Sequence, residues 1–257
     1  MIELEHRGAV SELRLCRTDA HNALDPALLQ AIDDAITAVT RRAESRVLIV
    51  SGQRVFCSGA DLAYLSTQTA AQVQAFCALG TGVLDRLARI AIPTIAAVGG
   101  AALGGGFELV LACDIAVAAS RAVFGLPEIQ LGVIPSFGGI RRLARRISPS
   151  AARELVYSGR TLTAARAREL GLVLDVVTTD DLAERCEQLA ARIARGSPLA
   201  LAAAKRLFVA DELGGAEGSD EAGAGAAREL GEVQQLVSTA DWRDGLTARQ
   251  TKRFPVL

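Results

Sequence analysis

The chain is poor in the residues that most often carry enzyme chemistry. Of its 257 residues only two are histidines, His6 and His21, and both stand near the N-terminus. No G-x-S-x-G occurs, so a serine triad lacks both its nucleophile turn and a well-placed histidine. Neither G-x-x-x-x-G-K-[ST] nor G-x-G-x-x-G is found, which removes the usual phosphate cradles of nucleotide enzymes. The five cysteines, Cys16, Cys57, Cys77, Cys113 and Cys186, form no C-x-x-C pair and no cluster with histidine or acid at metal-ligand spacing. No metal is expected, and scattered cysteines in odd number favour a reducing, cytoplasmic setting over a disulfide framework.

Net charge is nearly absent as well. Twenty-eight basic and 29 acidic residues leave −1, which gives no electrostatic footing for nucleic acid. Only two of the basic residues are lysines, Lys205 and Lys252. The first residues, MIELEHRGAVSELRL, are charged throughout and hold no apolar signal region. Residues 90–107 are uncharged over nearly a membrane's span, but they contain Pro93 and five glycines. They read as strand, tight loop and helix start, so no membrane partner is expected.

What remains is aliphatic. Half the chain is hydrophobic, only 4% is aromatic, and the mean hydropathy is +0.28, a composition that suits helices packed on buried strands. Alternation predicts two short strands around Arg7-Gly8, and RVLIVSG (46–52), PTIAAVGG (93–100) and CDIAVAAS (113–120) read as buried strands. Asp25-Pro26 opens a helix with Leu28, Leu29, Ile32, Ile36 and Val39 on one face. Asp61 is a candidate N-cap, and 70–91 is helical. After Pro149 the pattern is mainly helical apart from a strand at 172–177, with a loop or weak helix over 213–224 and a last helix at 240–250. Strands early and helices late imply an α/β core, 1–195, with a helical C-terminal part, 196–257, in one domain.

Two carboxylates stand out because nothing charged accompanies them. Glu108 is the only charge between Ile90 and Cys113, and Glu128 the only one between Arg121 and Arg141. Glu108 follows Gly104-Gly105-Gly106, where a strand turns into a helix whose first N–H groups lack partners and carry the positive end of its dipole. Helical side chains lean toward the N-terminus, so the carboxylate should hang over the turn at Gly105. A donor pair and a carboxylate at one point suit proton transfer beside a carbonyl. The alternative is a packing turn with Glu108 paired to a buried arginine. For Glu128 the alternative is a first-turn glutamate after Pro127, satisfied by the helix end.

The segments HNALD (21–25), RVLIVSGQRVFCSGADL (46–62), PTIAAVGGAALGGGFELVLACDIAVAAS (93–120) and FGLPEIQLGVIPSFGGIRRLARRI (124–147) resemble the enoyl-CoA hydratase/isomerase, or crotonase, family. So do A-x-x-x-G-L-V at 167–173, SPLALAAAKRL at 197–207 and DGLTARQTKRFPV at 244–256. The resemblance implies a crotonase-like spiral of β-β-α units whose C-terminal helices make a homotrimer or a dimer of trimers. It implies an acyl-CoA thioester as substrate and no cofactor beyond the coenzyme A that the substrate carries. The thioester oxygen would meet the N–H groups of Ala60 and Gly105. Glu108 would orient or deprotonate the water that attacks C3, and Glu128 would exchange the proton at C2 and help hold the water. Keeping both glutamates favours hydration of a trans-2-enoyl-CoA. A double-bond isomerase or another acyl-CoA lyase is the rival on the same fold, and a non-catalytic CoA-ester-binding subunit the rival outside it.

The resemblance also places Ala23, Ser58, Asp61 and Leu62 along the substrate. His21 and Lys252 become candidates to reach the CoA phosphates, with a solvated surface role as the alternative for each. Ser136 stands where the family often has glycine, which brings a hydroxyl near Glu128, and Arg249 stands where an apolar residue is usual. Tyr64 and Leu65 lie where acyl specificity would be set. Cys57 is expected to be a small core residue and Lys205 a surface lysine.

Overall fold

The computed structural model describes residues 1–213 and 221–250. The chain opens with β1 (Ile2–Arg7) and β2 (Val10–Leu15), paired antiparallel across Gly8. Asp25 then caps α1 (Pro26–Arg41) by accepting the Leu28 N–H at 2.7 Å, and Leu28, Leu29, Ile32, Ile36 and Val39 are buried as the spacing predicts. β3 (Val47–Gly52) is followed by the short α2 (Leu62–Leu65), capped by Asp61, and by α3 (Ala70–Arg89), which Thr69 and Gln72 start with a capping box. β4 (Thr94–Val98), β5 (Ala102–Leu103) and α4 (Gly105–Ala112) come next, then β6 (Ile115–Ala119) and β7 (Val123–Gly125).

A 3-10 turn over Pro127–Leu131 leads to α5 (Gly139–Arg146) and α6 (Pro149–Ser158). β8 (Thr161–Thr163), α7 (Ala164–Glu169), β9 (Asp175–Val177) and α8 (Leu182–Ile193) close the core. α9 (Pro198–Leu213), α10 (Glu221–Leu236) and α11 (Ala240–Gln250) follow. Residues 214–220, most of the segment expected to be a loop or weak helix, lie outside the described residues.

Six strands form one sheet in the order β1-β2-β3-β4-β6-β9, parallel from β2 onward. Its central strands are apolar on both faces because both are covered. Leu48, Val50, Ala96, Val98, Ala116 and Ala118 join the core shared with α1, α3 and α4. Their alternates Val47, Ile49, Ile95, Ala97, Val117 and Ala119 pack with Leu182, Cys186 and Ala190 of α8.

A second, smaller array runs beside the sheet in the same order. Leu24 bridges Ala60, Cys57 bridges Ala102, Ala102 pairs with Phe124, and Phe124 with Leu162. Each turn of the chain thus lays one strand in the large sheet and one short segment in the small array before a helix returns. This is the spiral of β-β-α units, and it puts Ala60 and Gly105 on neighbouring turns.

Candidate active site

Close backbone approach at the small array depends on missing side chains. Gly104 takes φ +50° and ψ −127°, which swings the chain from β5 into α4. A Cβ at Gly106 would collide with the Cys57 carbonyl oxygen, and one at Gly59 would lie 3.5 Å from the Gly105 nitrogen. Residues 57–60 therefore lie directly on 103–106. Leu24 donates to the Gly59 oxygen at 2.7 Å and accepts from Asp61 N–H at 2.8 Å. That bridge uses the residues on either side of Ala60, so the N–H of Ala60 faces away from Leu24. Gly105, first in α4, has an N–H without an intrahelical acceptor. Two backbone donors are left on adjoining runs.

One turn further along α4 stands Glu108, 1% exposed. The N–H groups of Phe137 and Gly139 both donate to its Oε1, each at 2.7 Å, and no protein donor among the described residues reaches Oε2. Burial pushes its pKa up to about 7; the Gly139 amide opposes this, the Glu128 charge adds to it, and the Phe137 amide and Arg142 oppose it. A buried arginine is indeed nearby, but Arg142 bonds to Asp85 and to the Phe137 carbonyl rather than to Glu108. Glu108 is held by backbone amides and not by an ion pair.

Glu128 lies in the first turn after Pro127, and a Cβ at Gly104 would be 3.0 Å from its Oε1. Its carboxylate sits over the start of α4. Its pKa is raised by burial, with its own amide opposing, and its buried Oε2 has no hydrogen-bond partner among the described residues. The turn supplies one amide but leaves that oxygen unsatisfied. Two raised carboxylates and two backbone donors therefore meet at the N-terminus of one helix. Beside them an aromatic row, Phe137–Phe76–Tyr64, with centroids 5.4 and 5.7 Å apart, keeps the wall apolar, and the Phe137 ring lies against Gly105.

A sequence model described as "Enoyl-CoA hydratase/isomerase" matches residues 5–256. This chain belongs to that family. The 2,3-dehydroadipyl-CoA hydratase of Escherichia coli K12 is 40% identical to it over 95% of this chain and 92% of its own. The crotonyl-CoA hydratase of Syntrophomonas wolfei is 39% identical over 79% of each. The crystal structure of an enoyl-CoA hydratase from Bacillus anthracis superposes with a TM-score of 0.93 at 34% identity, covering 99% of this chain and 98% of that one. The architecture is the crotonase fold.

Other residues that the sequence singles out are placed unevenly around this candidate site. His21 is exposed with φ +51°, and its carbonyl accepts the Ser58 N–H at 3.1 Å, so it holds the loop before Ala60 by its backbone. Ala23 is buried and its carbonyl accepts from Arg17; Ser58 and Leu62 are exposed. Asp61 caps α2 and pairs with Arg17 at 2.7 Å. Tyr64 and Leu65 are half-buried against the core.

Two expectations change. Ser136 does not turn its hydroxyl to Glu128: it bonds to the Cys77 sulfur of α3 at 3.3 Å, because the following turn points only the Phe137 and Gly139 amides inward. Lys205 is not a surface lysine but 5% exposed, bonded to Asp114 and the Ile92 carbonyl at 2.8 Å each. Cys57 is buried, and burial pushes its thiol to about 12, which suits a core residue. Lys252 lies outside the described residues, as does the side chain of Arg249.

Sequence reasoning missed Arg17, Asn22, Asp85 and Arg142. Asn22, at φ +56°, donates to the Val55 and Phe56 carbonyls at 3.0 Å each and so braces the chain entering 57–60. The stretch RRLARR (141–146) reads as a basic helix, and its four arginines hide the one that is fully buried.

Proposed function

We propose that the protein adds water across the C2–C3 double bond of a trans-2-enoyl-CoA, carrying no cofactor beyond the coenzyme A of its substrate. The observation that carries this reading is the pair of buried carboxylates, Glu108 and Glu128, converging on the glycine start of α4. On this reading the N–H groups of Ala60 and Gly105 take the thioester oxygen, and charge builds there as C3 is attacked. Glu108, partly ionised near neutral pH, receives a proton from the water at its uncommitted Oε2. Glu128, whose pKa burial raises, gives a proton to C2. The hydroxyl ends on C3 and hydrogen on C2, and a proton passed between the two acids restores both.

The apolar row of Phe137, Phe76 and Tyr64 excludes bulk water from the acyl side. His21 and Lys252 serve the CoA phosphates, and a homotrimer or dimer of trimers, joined through 196–257, is the working form in the cytoplasm. No helix among the described residues is long and apolar enough to cross a membrane. The relatives' names span crotonyl and dehydroadipyl groups, so the acyl chain is set by experiment.

The decisive measurement follows the 2-enoyl thioester absorbance with crotonyl-CoA, longer enoyl-CoAs and an ω-carboxylated enoyl-CoA. Its loss with at least one of them is expected. Binding of CoA esters without hydration of any would overturn the reading, in favour of an isomerase if a 3-enoyl-CoA gains the absorbance and of a binding subunit if it does not.

A further inference from the structure

Arg142 is 0% exposed, a rare place for arginine, in a helix where Arg141 beside it is partly exposed. A buried guanidinium costs several kcal/mol unless its donors are matched, and an apolar side chain of similar volume would fill the space as well. What it touches gives the reason. Its Nη1 donates to the Phe137 carbonyl at 2.8 Å and its Nη2 to Asp85 of α3.

Three consecutive peptide groups are involved. The first, between Ser136 and Phe137, offers its N–H to Glu108, while its carbonyl accepts from Thr81 Oγ1 of α3 at 2.7 Å. The second, between Phe137 and Gly138, is held by Arg142. The third, between Gly138 and Gly139, again offers its N–H to Glu108. Gly138 makes the reversal at φ +93°, and Gly139 is so close that a Cβ there would be 2.7 Å from Glu108 Cγ. Thr81 and Asp85 are one turn apart on α3, on the same face.

We propose that Arg142, braced by Asp85, is a positioning residue: together with Thr81, which holds the Ser136 carbonyl, it locks the 136–139 turn so that two amides seize Oε1 of Glu108 and leave Oε2 for the water. The proposal rests on the hydratase reading of Glu108. Among the described residues, the charged groups facing Glu108 are Glu128 from the 3-10 turn and Arg142 from α5, and behind the arginine stands Asp85 of α3, which Arg141 also pairs with.

The test compares Arg142→Met, Arg142→Lys and Thr81→Val with Glu108→Gln. Readouts are kcat and KM for crotonyl-CoA, the pH dependence of kcat, and binding of butyryl-CoA, which cannot be hydrated. Arg142→Met is expected to lower kcat about a hundredfold, as a misplaced catalytic group does. KM and butyryl-CoA binding should stay within about threefold, and the acid limb of kcat should move to higher pH as the favourable charge is lost. Arg142→Lys keeps the charge and the limb but recovers only part of kcat, since one ammonium cannot copy the fork.

Thr81→Val removes no charge and is expected to lower kcat about tenfold at unchanged KM; it carries the test if the arginine variants do not fold. Wild-type kcat in folded Arg142→Met or in Thr81→Val overturns the proposal, as does a loss that only tracks the folded fraction. An active Glu108→Gln would instead bring down the hydratase reading; an inactive one with unaffected clamp variants brings down this inference alone.

Discussion

A carboxylate whose ordinary pKa is 4.5 ionises at about 7 when it is Glu108, chiefly because burial disfavours its charge. The consequence for folding has a definite sign. Between pH 4.5 and 7 the unfolded chain has released this proton while the folded chain still binds it, so stability falls as pH rises through that window and is flat above it. The fall is about 3 kcal/mol from this group alone. Glu108→Gln should abolish it, and urea unfolding from pH 5 to 8 reads the difference; an unchanged slope in the variant would place the titration elsewhere. Catalysis runs the other way. In the proposed reaction Glu108 is the base and must be ionised, so turnover should climb through pH 7 in the wild type. Glu128→Gln should lower kcat at least about a hundredfold, the scale of one acid/base group, and near-wild-type turnover would remove Glu128 from the chemistry.

Among elements, α9 shows how the C-terminal helices are fastened to the spiral. Lys205 reaches from α9 to Asp114, whose Oδ2 also accepts the Thr94 N–H and hydroxyl, at the points where β4 and β6 begin. Lys205→Met leaves that carboxylate without its cation and should cost about 3 kcal/mol in thermal unfolding. Lys205→Met combined with Asp114→Asn should recover part of it. A loss below about 1 kcal/mol would mean that packing alone docks α9. The sequence disclosed the central buried strands and the long capped helices because their patterns run over five or more residues, as in α1 and β3. It did not disclose β5, β7 or β8, which span two or three residues and make sense only beside their partners. Glu108, Glu128 and Gly105 were legible as isolated charges and glycines in apolar runs. Lys205 and Arg142 were not, because a buried cation and a solvated one look alike in sequence until the acid opposite, Asp114 or Asp85, is brought across the fold.

For the whole molecule, the site lies beside a surface that one chain leaves apolar. Ile129, Leu131, Val133 and Ile134 follow Glu128 directly and are all exposed, as are Leu230 and Val233 of α10 and Trp242 of α11. Monomeric proteins rarely leave so many large apolar side chains to water along one stretch. Residues 129–134 are also continuous with the backbone that aims Glu128, so covering them would stiffen the 3-10 turn that carries the acid. An apolar face of this kind calls for a partner copy, and the trimer proposed above supplies one: light scattering should find a trimer or a multiple of it at micromolar concentration, and specific activity should fall on dilution as the assembly dissociates. A stable monomer with full activity would show that the spiral alone completes the site, and that these apolar residues serve neither assembly nor catalysis.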